Sequence, residues 1–161
     1  MINSFLNIYT DGSLVKKGKD IYCGYGIYFS GNEYKSISRK FTHEPITNNR
    51  AELYAILKAI IISNIINTER IKKNQEQIKV VNIYSDSEYS IKTFNIWLAK
   101  WKISKKNYLN ADIINEIDDH IKNSSFKINF IHIRAHTNKT DEHSIANNIV
   151  DELAKKGAFR K

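Results

Sequence analysis

Apolar and polar residues alternate along the first forty positions in the way that half-buried β-strands require. Phe5 to Tyr9 predicts a first strand, Tyr22 to Phe29 a second, and Tyr34 to Phe41 a third. The first strand is expected to end at the polar run that follows Tyr9, and short turns at 16–20 and 30–33 separate the elements. Connections this short predict an antiparallel meander of three strands.

Beyond position 48 the apolar spacing changes to that of helices. Asn49-Arg50-Ala51-Glu52 resembles a capping box with Asn in place of Ser or Thr, and predicts a helix that continues to about Ile66. Strands and helices then alternate, which predicts an α/β fold, and 161 residues without linker or repeat predict one domain, 1–161. The later elements are a strand at 79–85, a helix from Asp86-Ser87 toward Trp101, a helix at 111–121, a strand at 126–133 and a helix at 144–158.

The charge balance narrows the class of partner. Lys and Arg total 25 against 17 Asp and Glu, a formal net charge of +8, which favours a polyanion such as nucleic acid. A basic surface also aids solubility, and an AT-rich genome raises Lys, Asn and Ile together.

The single cysteine, Cys23, excludes an intrachain disulfide and a multi-cysteine zinc site, so we expect the cytoplasm or another reducing intracellular compartment. No apolar run reaches about 18 residues and no secretory leader pattern is present, so we expect no membrane association.

Four acidic residues lie where packing alone would not place them. Asp11 follows the first strand and Asp86 the fourth, so both would face one crevice if these strands are parallel neighbours. Each has an ordinary alternative: Asp11 as a turn residue, Asp86 as a helix N-cap. Glu52 lies on the helix face that should pack on the sheet, unless it is the capping-box Glu. Asp151, taken alone, is typical of a polar helix face.

Four carboxylates in one crevice would repel one another at neutral pH unless cations occupied the site. Oxygen ligands without cysteine suit Mg²⁺ or Mn²⁺. Two such ions about 4 Å apart can clamp an in-line phosphoryl displacement, one activating water and one stabilising the leaving oxygen. With the net positive charge, these acids predict a metal-dependent nuclease.

Five motifs in order resemble one known family. They are Tyr9-Thr10-Asp11-Gly12-Ser13, Thr47-Asn48-Asn49-Arg50-Ala51-Glu52-Leu53, Tyr84-Ser85-Asp86-Ser87-Glu88-Tyr89, His132-Ile133-Arg134-Ala135-His136-Thr137 and Asn148-Ile149-Val150-Asp151-Glu152-Leu153-Ala154. This set, which extends over nearly the whole chain, resembles type 1 ribonuclease H. The resemblance implies a ribonuclease H-like fold: a five-stranded mixed sheet, three antiparallel then two parallel strands, flanked by helices. It also implies a two-metal-ion endonuclease that cleaves the RNA strand of RNA–DNA hybrids and leaves 5′-phosphate and 3′-hydroxyl ends.

The resemblance also implies roles for individual residues. Asp11, Glu52, Asp86 and Asp151 match the carboxylates that hold two Mg²⁺ ions, with Mn²⁺ as a substitute. His136 matches a mobile histidine that assists proton transfer or product release, although a solvated loop histidine is the ordinary alternative. Among the positions that match substrate contacts, Gly12 and Ser13 allow close backbone approach, Asn48 and Asn49 offer amides to base edges or sugars, and Ser87 and Glu88 match an RNA-contact pair. Thr47 and Asn110 match a DNA-phosphate pocket, and Tyr89, Trp97 and Trp101 match a channel for the DNA strand. For the two tryptophans, helix packing at i, i+4 is the alternative. We expect an RNA–DNA hybrid as the partner and a monomer in solution.

Several positions depart from the family pattern. The loop before the last helix is longer by the run Lys139 to His143, which makes His143 a rival of His136 for the mobile role. Pro45 stands where some members place an arginine in the phosphate pocket, and Lys17 replaces an amide that contacts RNA in some members. No amino-terminal hybrid-binding module precedes the domain, so we expect no processivity from a second module. A shortened basic protrusion keeps part of its charge in Lys102, Lys105 and Lys106.

Two other interpretations stay open. One is a hybrid-binding module that has lost catalysis, and the other is a different nuclease of the same fold, of the integrase or resolvase type. Fold alone does not choose among them. Four carboxylates repel phosphate and would serve no purpose in a pure binding module, and the Thr-Asn-Asn-Arg-Ala-Glu and Asp-Ser-Glu-Tyr runs favour the hybrid-cleaving branch.

Overall fold

The computed structural model describes residues 3–135 and 140–161, which form a five-stranded mixed sheet covered by helices. The strands are β1 (Phe5–Lys17), β2 (Asp20–Phe29), β3 (Ile37–Lys40), β4 (Val80–Ser85) and β5 (Lys127–His132). The helices are α1 (Asn48–Lys72), α2 (Glu88–Lys92), α3 (Leu98–Ser104), α4 (Ala111–Asn123) and α5 (Glu142–Ala158), with a π-helical segment, Thr93–Trp97, joining α2 to α3 and a short 3₁₀ turn at Ser30–Asn32.

The strand order is β3-β2-β1-β4-β5. β1 pairs with β2 and β2 with β3 in antiparallel register, whereas β1 with β4 and β4 with β5 are parallel. The predicted sheet is therefore confirmed. The predicted end of the first strand is wrong, because β1 continues beside β2 to Lys17. What ends near Thr10 is its parallel pairing with β4, whose last register pair is Thr10 and Ser85.

Helix α1 fills one face of the sheet. Its predicted capping box is wrong: Thr47 is the N-cap, and its side chain accepts a hydrogen bond from the backbone N–H of Arg50 at 3.1 Å. The helix also continues to Lys72, beyond the expected end. By length and hydropathy α1 could cross a membrane, but 56% of its most apolar window is buried. Its apolar side chains, Ile56 and Ile60 among them, pack in the main core with β1, β2 and β4.

Helix α5 covers the opposite face of the antiparallel strands. A smaller core there contains Tyr9, Tyr28 and Val150. Glycines let the carboxyl-terminal half of α5 approach β2 closely: a Cβ on Gly24 would lie 2.1 Å from the backbone nitrogen of Ala158. Any larger residue there would push the helix away, so this contact fixes the carboxyl-terminal half of α5 on the sheet.

Candidate active site

Three carboxylates meet where the parallel pairing of β1 and β4 ends. Asp11 follows that pairing on β1, Asp86 follows β4, and Glu52 lies in the first turns of α1. One oxygen of each carboxylate lies within 4.8 Å of one oxygen of the other two. Asp11 and Glu52 are only 3% and 4% exposed. The structure thus brings together three of the four acids that the sequence placed in one crevice.

Close packing of α1 on β1 delivers Glu52 to this position. A Cβ on Gly12 would lie 2.6 Å from the backbone nitrogen of Glu52, so only glycine permits this separation. Gly12 was predicted to allow close approach of a substrate. The close approach among the described residues is that of α1, and the substrate contact of Gly12 stays a prediction.

Asp86 does not cap α2, so its ordinary alternative role is wrong. Ser87 is the N-cap, and its hydroxyl accepts a hydrogen bond from the backbone N–H of Ser90 at 3.2 Å. The backbone N–H of Ser87 in turn donates to the Ser85 hydroxyl at 3.0 Å. Because serine hydroxyls satisfy this helix start, the carboxylate of Asp86 faces the acidic group.

The electrostatics of the group are those of a site that needs a cation. Burial, followed by repulsion from Asp86, raises the pKa of Asp11 to about 8. Burial and the neighbouring Asp11 raise the pKa of Glu52 well above its usual range. The Oε2 atom of Glu52 is buried without a hydrogen-bond partner in the described part of the chain. A set of carboxylate oxygens with an unpartnered acceptor fits a hard divalent cation such as Mg²⁺.

Asp151 stands at the edge of this group. Its charge contributes to the raised pKa of Asp11, so the two carboxylates are neighbours, although Asp151 lies outside the tight cluster of three. Its side chain is 19% exposed and pairs with Lys155, one turn later on α5, at 2.9 Å. Asp151 in turn raises the pKa of Lys155. The predicted fourth carboxylate therefore faces the site with a cationic partner of its own.

Asn147 is a site residue that our reading of the sequence did not include. Its Nδ2 donates to Oδ2 of Asp86 at 3.2 Å, the residue is 2% exposed, and its Oδ1 is buried without a partner in the described part of the chain. The signal was present, because Asn147 precedes Asp151 by four positions and so shares its helix face.

The structure describes one of the two candidate histidines, His143. His136 lies outside the described residues. His143, the expected rival for the mobile role, lies at the start of α5 with its Nδ1 2.6 Å from the hydroxyl of Tyr9. The imidazole is exposed on one side and bound on the other, so it is not a free loop histidine.

The predicted phosphate pocket surrounds a buried arginine. Arg50 is 3% exposed and forms two hydrogen bonds of 2.8 Å with the carboxylate of Asp112. Asn110 lies beside it, with its Oδ1 3.5 Å from Nη1 of Arg50 and its Nδ2 donating to the Tyr89 hydroxyl at 2.9 Å. Thr47 caps the same helix start. Thr47 and Asn110 therefore each contact Arg50, one at its backbone and one at its guanidinium, and Asn48 and Asn49 are exposed at the same helix start.

Aromatic rings form a row along α2, the π-helical segment and α3. The ring centroids of Tyr89 and Trp97 lie 6.0 Å apart, those of Trp97 and Trp101 also 6.0 Å, and Tyr108 stacks on Trp101 at 4.9 Å. Trp101 also packs against the main core, so the packing alternative for it holds as well. Tyr108 was not among the predicted aromatic residues and lengthens the row of rings by one. Among the remaining predicted contacts, Ser13 and Ser87 are half-buried and Glu88 is exposed.

Comparisons with known proteins agree with this geometry. The RNase H family model matches residues 3–159. The ribonuclease H of Schizosaccharomyces pombe is 31% identical over 158 residues, 94% of this chain and 52% of that protein. The probable ribonuclease H of Acanthamoeba polyphaga mimivirus is 37% identical over 144 residues, 85% of this chain and 58% of that protein. The chain thus spans about half the length of these two curated relatives.

A solved structure of an RNase H domain is similar to this chain in fold. The solution structure of the PFV RNase H domain matches with a TM-score of 0.71 at 23% identity, over 96% of this chain and 94% of that domain. At this identity the match supports the fold.

Proposed function

Because this chain belongs to the ribonuclease H family, we propose that it is an endonuclease that hydrolyses the RNA strand of RNA–DNA hybrids. The observation that carries the proposal is the buried group of Asp11, Glu52 and Asp86, with one oxygen of each within 4.8 Å of the others. Burying like charges together destabilises a fold. Such an arrangement is useful where a cation and a polyanionic substrate complete it.

We propose Mg²⁺ as the cation, with Mn²⁺ as a substitute, held by Asp11, Glu52 and Asp86 and faced by Asp151. When bound, two such ions supply an activated water and charge stabilisation at the leaving 3′ oxygen, which gives 5′-phosphate and 3′-hydroxyl ends. The chain's own residues fix the ligands. Asn147 holds the carboxylate of Asp86, and Lys155 holds that of Asp151.

The surroundings of the carboxylates support a nucleic acid as substrate. The net charge of +8 favours contact with phosphates, and we expect hybrid affinity to fall steeply as salt rises. The aromatic row that begins at Tyr89 offers ring faces and edges to a strand with exposed bases or sugars. Exposed amides at Asn48 and Asn49 suit recognition of sugars and base edges in a wide minor groove, where 2′-hydroxyls distinguish RNA.

We further propose that residues 1–161 act as one catalytic domain, as a monomer, in a reducing compartment. The main core links α1 with β1, β2 and β4, which supports a single cooperative unit. Cys23 is buried, and burial raises the pKa of its thiol to about 11, so it stays protonated and unreactive. Light scattering during size exclusion tests the monomer, and one sharp unfolding transition tests the single domain.

One assay tests the proposed activity against its alternatives. The chain is incubated with RNA–DNA hybrid, duplex RNA, duplex DNA, a four-way DNA junction and single-stranded RNA, each with Mg²⁺ and with EDTA. We expect Mg²⁺-dependent cleavage of the RNA strand of the hybrid, with product 3′ ends that a polymerase extends. Preferential cleavage of the junction or of duplex DNA would favour an integrase-type or resolvase-type nuclease. Tight hybrid binding without cleavage in any metal would favour the binding module.

A further inference from the structure

Helix α5 carries a stripe of polar side chains spaced by four residues. His143, Asn147, Asp151 and Lys155 follow one another at i, i+4, i+8 and i+12, so they lie along one side of the helix. Each of the four has a polar partner. His143 contacts the Tyr9 hydroxyl, Asn147 contacts Asp86, and Asp151 and Lys155 pair with one another. The stripe therefore runs along the acidic group, and its position depends on how α5 is held.

The two halves of α5 are held differently. The carboxyl-terminal half packs directly on β2 through Gly24 and Gly26. In the first turn, Glu142, His143 and Ile145 are exposed and Ser144 is buried, and among the described residues the smaller core begins at Ala146. Two polar contacts in the described part of the chain connect this turn to other elements: the bond between His143 and Tyr9, and an exposed bond from the Ser30 hydroxyl to Oε1 of Glu142 at 3.3 Å.

The bond from His143 joins the first turn of α5 to the strands that carry the carboxylates. Tyr9 and Tyr84 are register partners on β1 and β4, and their rings stack at 4.7 Å. Tyr9 precedes Asp11 by two residues, and Tyr84 precedes Asp86 by two. The imidazole of His143 lies 4.8 Å from the Tyr84 ring as well as on the Tyr9 hydroxyl, so it contacts both strands.

The donor and acceptor in this bond follow from the chemistry of the pair. Tyr9 is 1% exposed, and Nδ1 of His143 lies 2.6 Å from its hydroxyl. We assign the phenol as the donor and Nδ1 as the acceptor, the arrangement in which the imidazole carries its proton on Nε2.

We propose that His143 is a positioning residue: its bond to Tyr9 fixes the first turn of α5 and so sets Asn147 against Asp86 and Asp151 against Asp11. This inference rests on the proposed metal-dependent function of the carboxylate group. It assigns His143 no contact with substrate and no part in proton transfer. Residues that orient metal ligands through hydrogen bonds are commonly worth about tenfold or more in metal affinity or activity.

The test compares variants of the full chain that remove or restore one partner of this bond. His143→Leu removes the acceptor, whereas His143→Asn returns an oxygen acceptor close to the position of Nδ1. Tyr9→Phe removes the donor from the other side and keeps the stacked ring. Asn148→Ala, on an exposed part of α5, is the matched control. Mn²⁺ affinity is measured by electron paramagnetic resonance of the free ion, and kcat and KM are measured on the hybrid.

We expect His143→Leu and Tyr9→Phe each to weaken Mn²⁺ binding and to lower kcat by about fivefold, with little change in KM. This is less than the roughly tenfold effect of residues that bond a metal ligand directly, because His143 acts on the ligands only through the position of α5. The double variant should lose little more than either single variant, because both remove one bond. His143→Asn should recover most of the loss, which a merely structural role would not require.

Wild-type Mn²⁺ affinity in His143→Leu would overturn the proposal, and so would a loss in His143→Asn as large as in His143→Leu. If the wild type cleaves no substrate while His143→Leu still weakens Mn²⁺ binding, the positioning role stands and the proposed activity fails. The metal measurement therefore separates the two.

Discussion

Two buried charges lie two residues apart at the start of α1 and have opposite surroundings. Arg50 is 3% exposed and meets the carboxylate of Asp112, whereas Glu52 is 4% exposed and meets Asp11 and Asp86. Each charge has one buried atom without a hydrogen-bond partner among the described residues, Nε of Arg50 and Oε2 of Glu52. An orphaned polar atom therefore does not by itself distinguish a structural ion pair from a functional site. The sign of the neighbouring charges does.

The same contrast appears in two aspartates. The Arg50 guanidinium lowers the pKa of Asp112 to about 2, whereas burial and Asp86 raise that of Asp11 to about 8. Asp112 is thus fully ionised at neutral pH with its partner already in the chain. Asp11 reaches the same state only when a cation from outside the chain offsets its neighbours.

The largest expected effect comes from removing one charge of the acidic group. Asp86→Asn should raise the activation free energy of hybrid cleavage by about 3 kcal/mol or more, because one ligand of the metal site loses its charge. The cleavage rate should then fall by roughly a hundredfold at least. Hybrid affinity should be retained, since the basic surface is unchanged. Single-turnover cleavage and equilibrium binding measure the two quantities. Near-normal turnover at saturating Mg²⁺ would show that the acidic group is not the metal site.

The second prediction concerns the stability of the metal-free protein. The folded-state pKa of Asp11, about 8, lies above its ordinary value, so its favourable contribution is complete only at low pH and is lost as pH rises through about 8. Asp11→Asn removes this loss and should stabilise the protein in EDTA at pH 9 by on the order of 2 kcal/mol, with little effect at pH 5. Urea unfolding at both pH values measures the difference.

The control for this prediction is Asp20→Asn, an exposed carboxylate at the end of the β1–β2 hairpin, which should change little at either pH. A destabilising effect of Asp11→Asn at pH 9 would mean that the ionised carboxylate has a stabilising partner in the chain, and the contrast between Asp112 and Asp11 would fail.

Much of the fold followed from the alternation and spacing of apolar residues. The antiparallel meander and most helix positions were predicted, because period and connection length report these directly. The parallel pairs were expected from the family resemblance. Element ends were not. β1 continues past Asp11 because β2 pairs with it, and α1 starts at Asn48 because Thr47 caps it, and both depend on contacts that local pattern does not show. The π-helical turn at Thr93–Trp97 gave no recognisable signal.

The site was predictable to the extent that it lies at one end of the parallel pairing. Asp11 and Asp86 meet because the pairing of β1 with β4 ends beside them, and Glu52 was marked by a charge on an apolar face. The bond of Asn147 to Asp86 was missed because asparagine in a helix has many ordinary uses. The bond between His143 and Tyr9 joins residues 134 positions apart, so only tertiary structure reveals it.

The third prediction tests the structural member of the comparison. Asp112→Asn should destabilise the fold by about 1 kcal/mol, because Arg50 stays buried while Asp112 itself is well exposed and screened. The folded-state pKa of Asp112 is lowered, so its contribution is present above its ordinary pKa and is lost as pH falls toward 2. The penalty at pH 7 should therefore disappear near pH 2. Thermal melts measure it, with Asp119→Asn on the same helix as the control.

The smallest effect is the stabilisation of the protein by the metal itself. Mg²⁺ at three times its dissociation constant should stabilise the fold by about 0.8 kcal/mol if it binds only the folded chain. The gain should be larger at pH 8 than at pH 5.5, because the cation must displace a proton from Asp11, whose pKa is raised to about 8, and protons compete more strongly at low pH. Thermal unfolding with and without Mg²⁺ at the two pH values measures both quantities.

Asp112→Asn should keep the full Mg²⁺ response, whereas Asp86→Asn should lose most of it. An equal response in those two variants would mean that Mg²⁺ stabilises the protein through its surface at large, and the two buried charges of α1 would then not differ in the way their neighbours indicate.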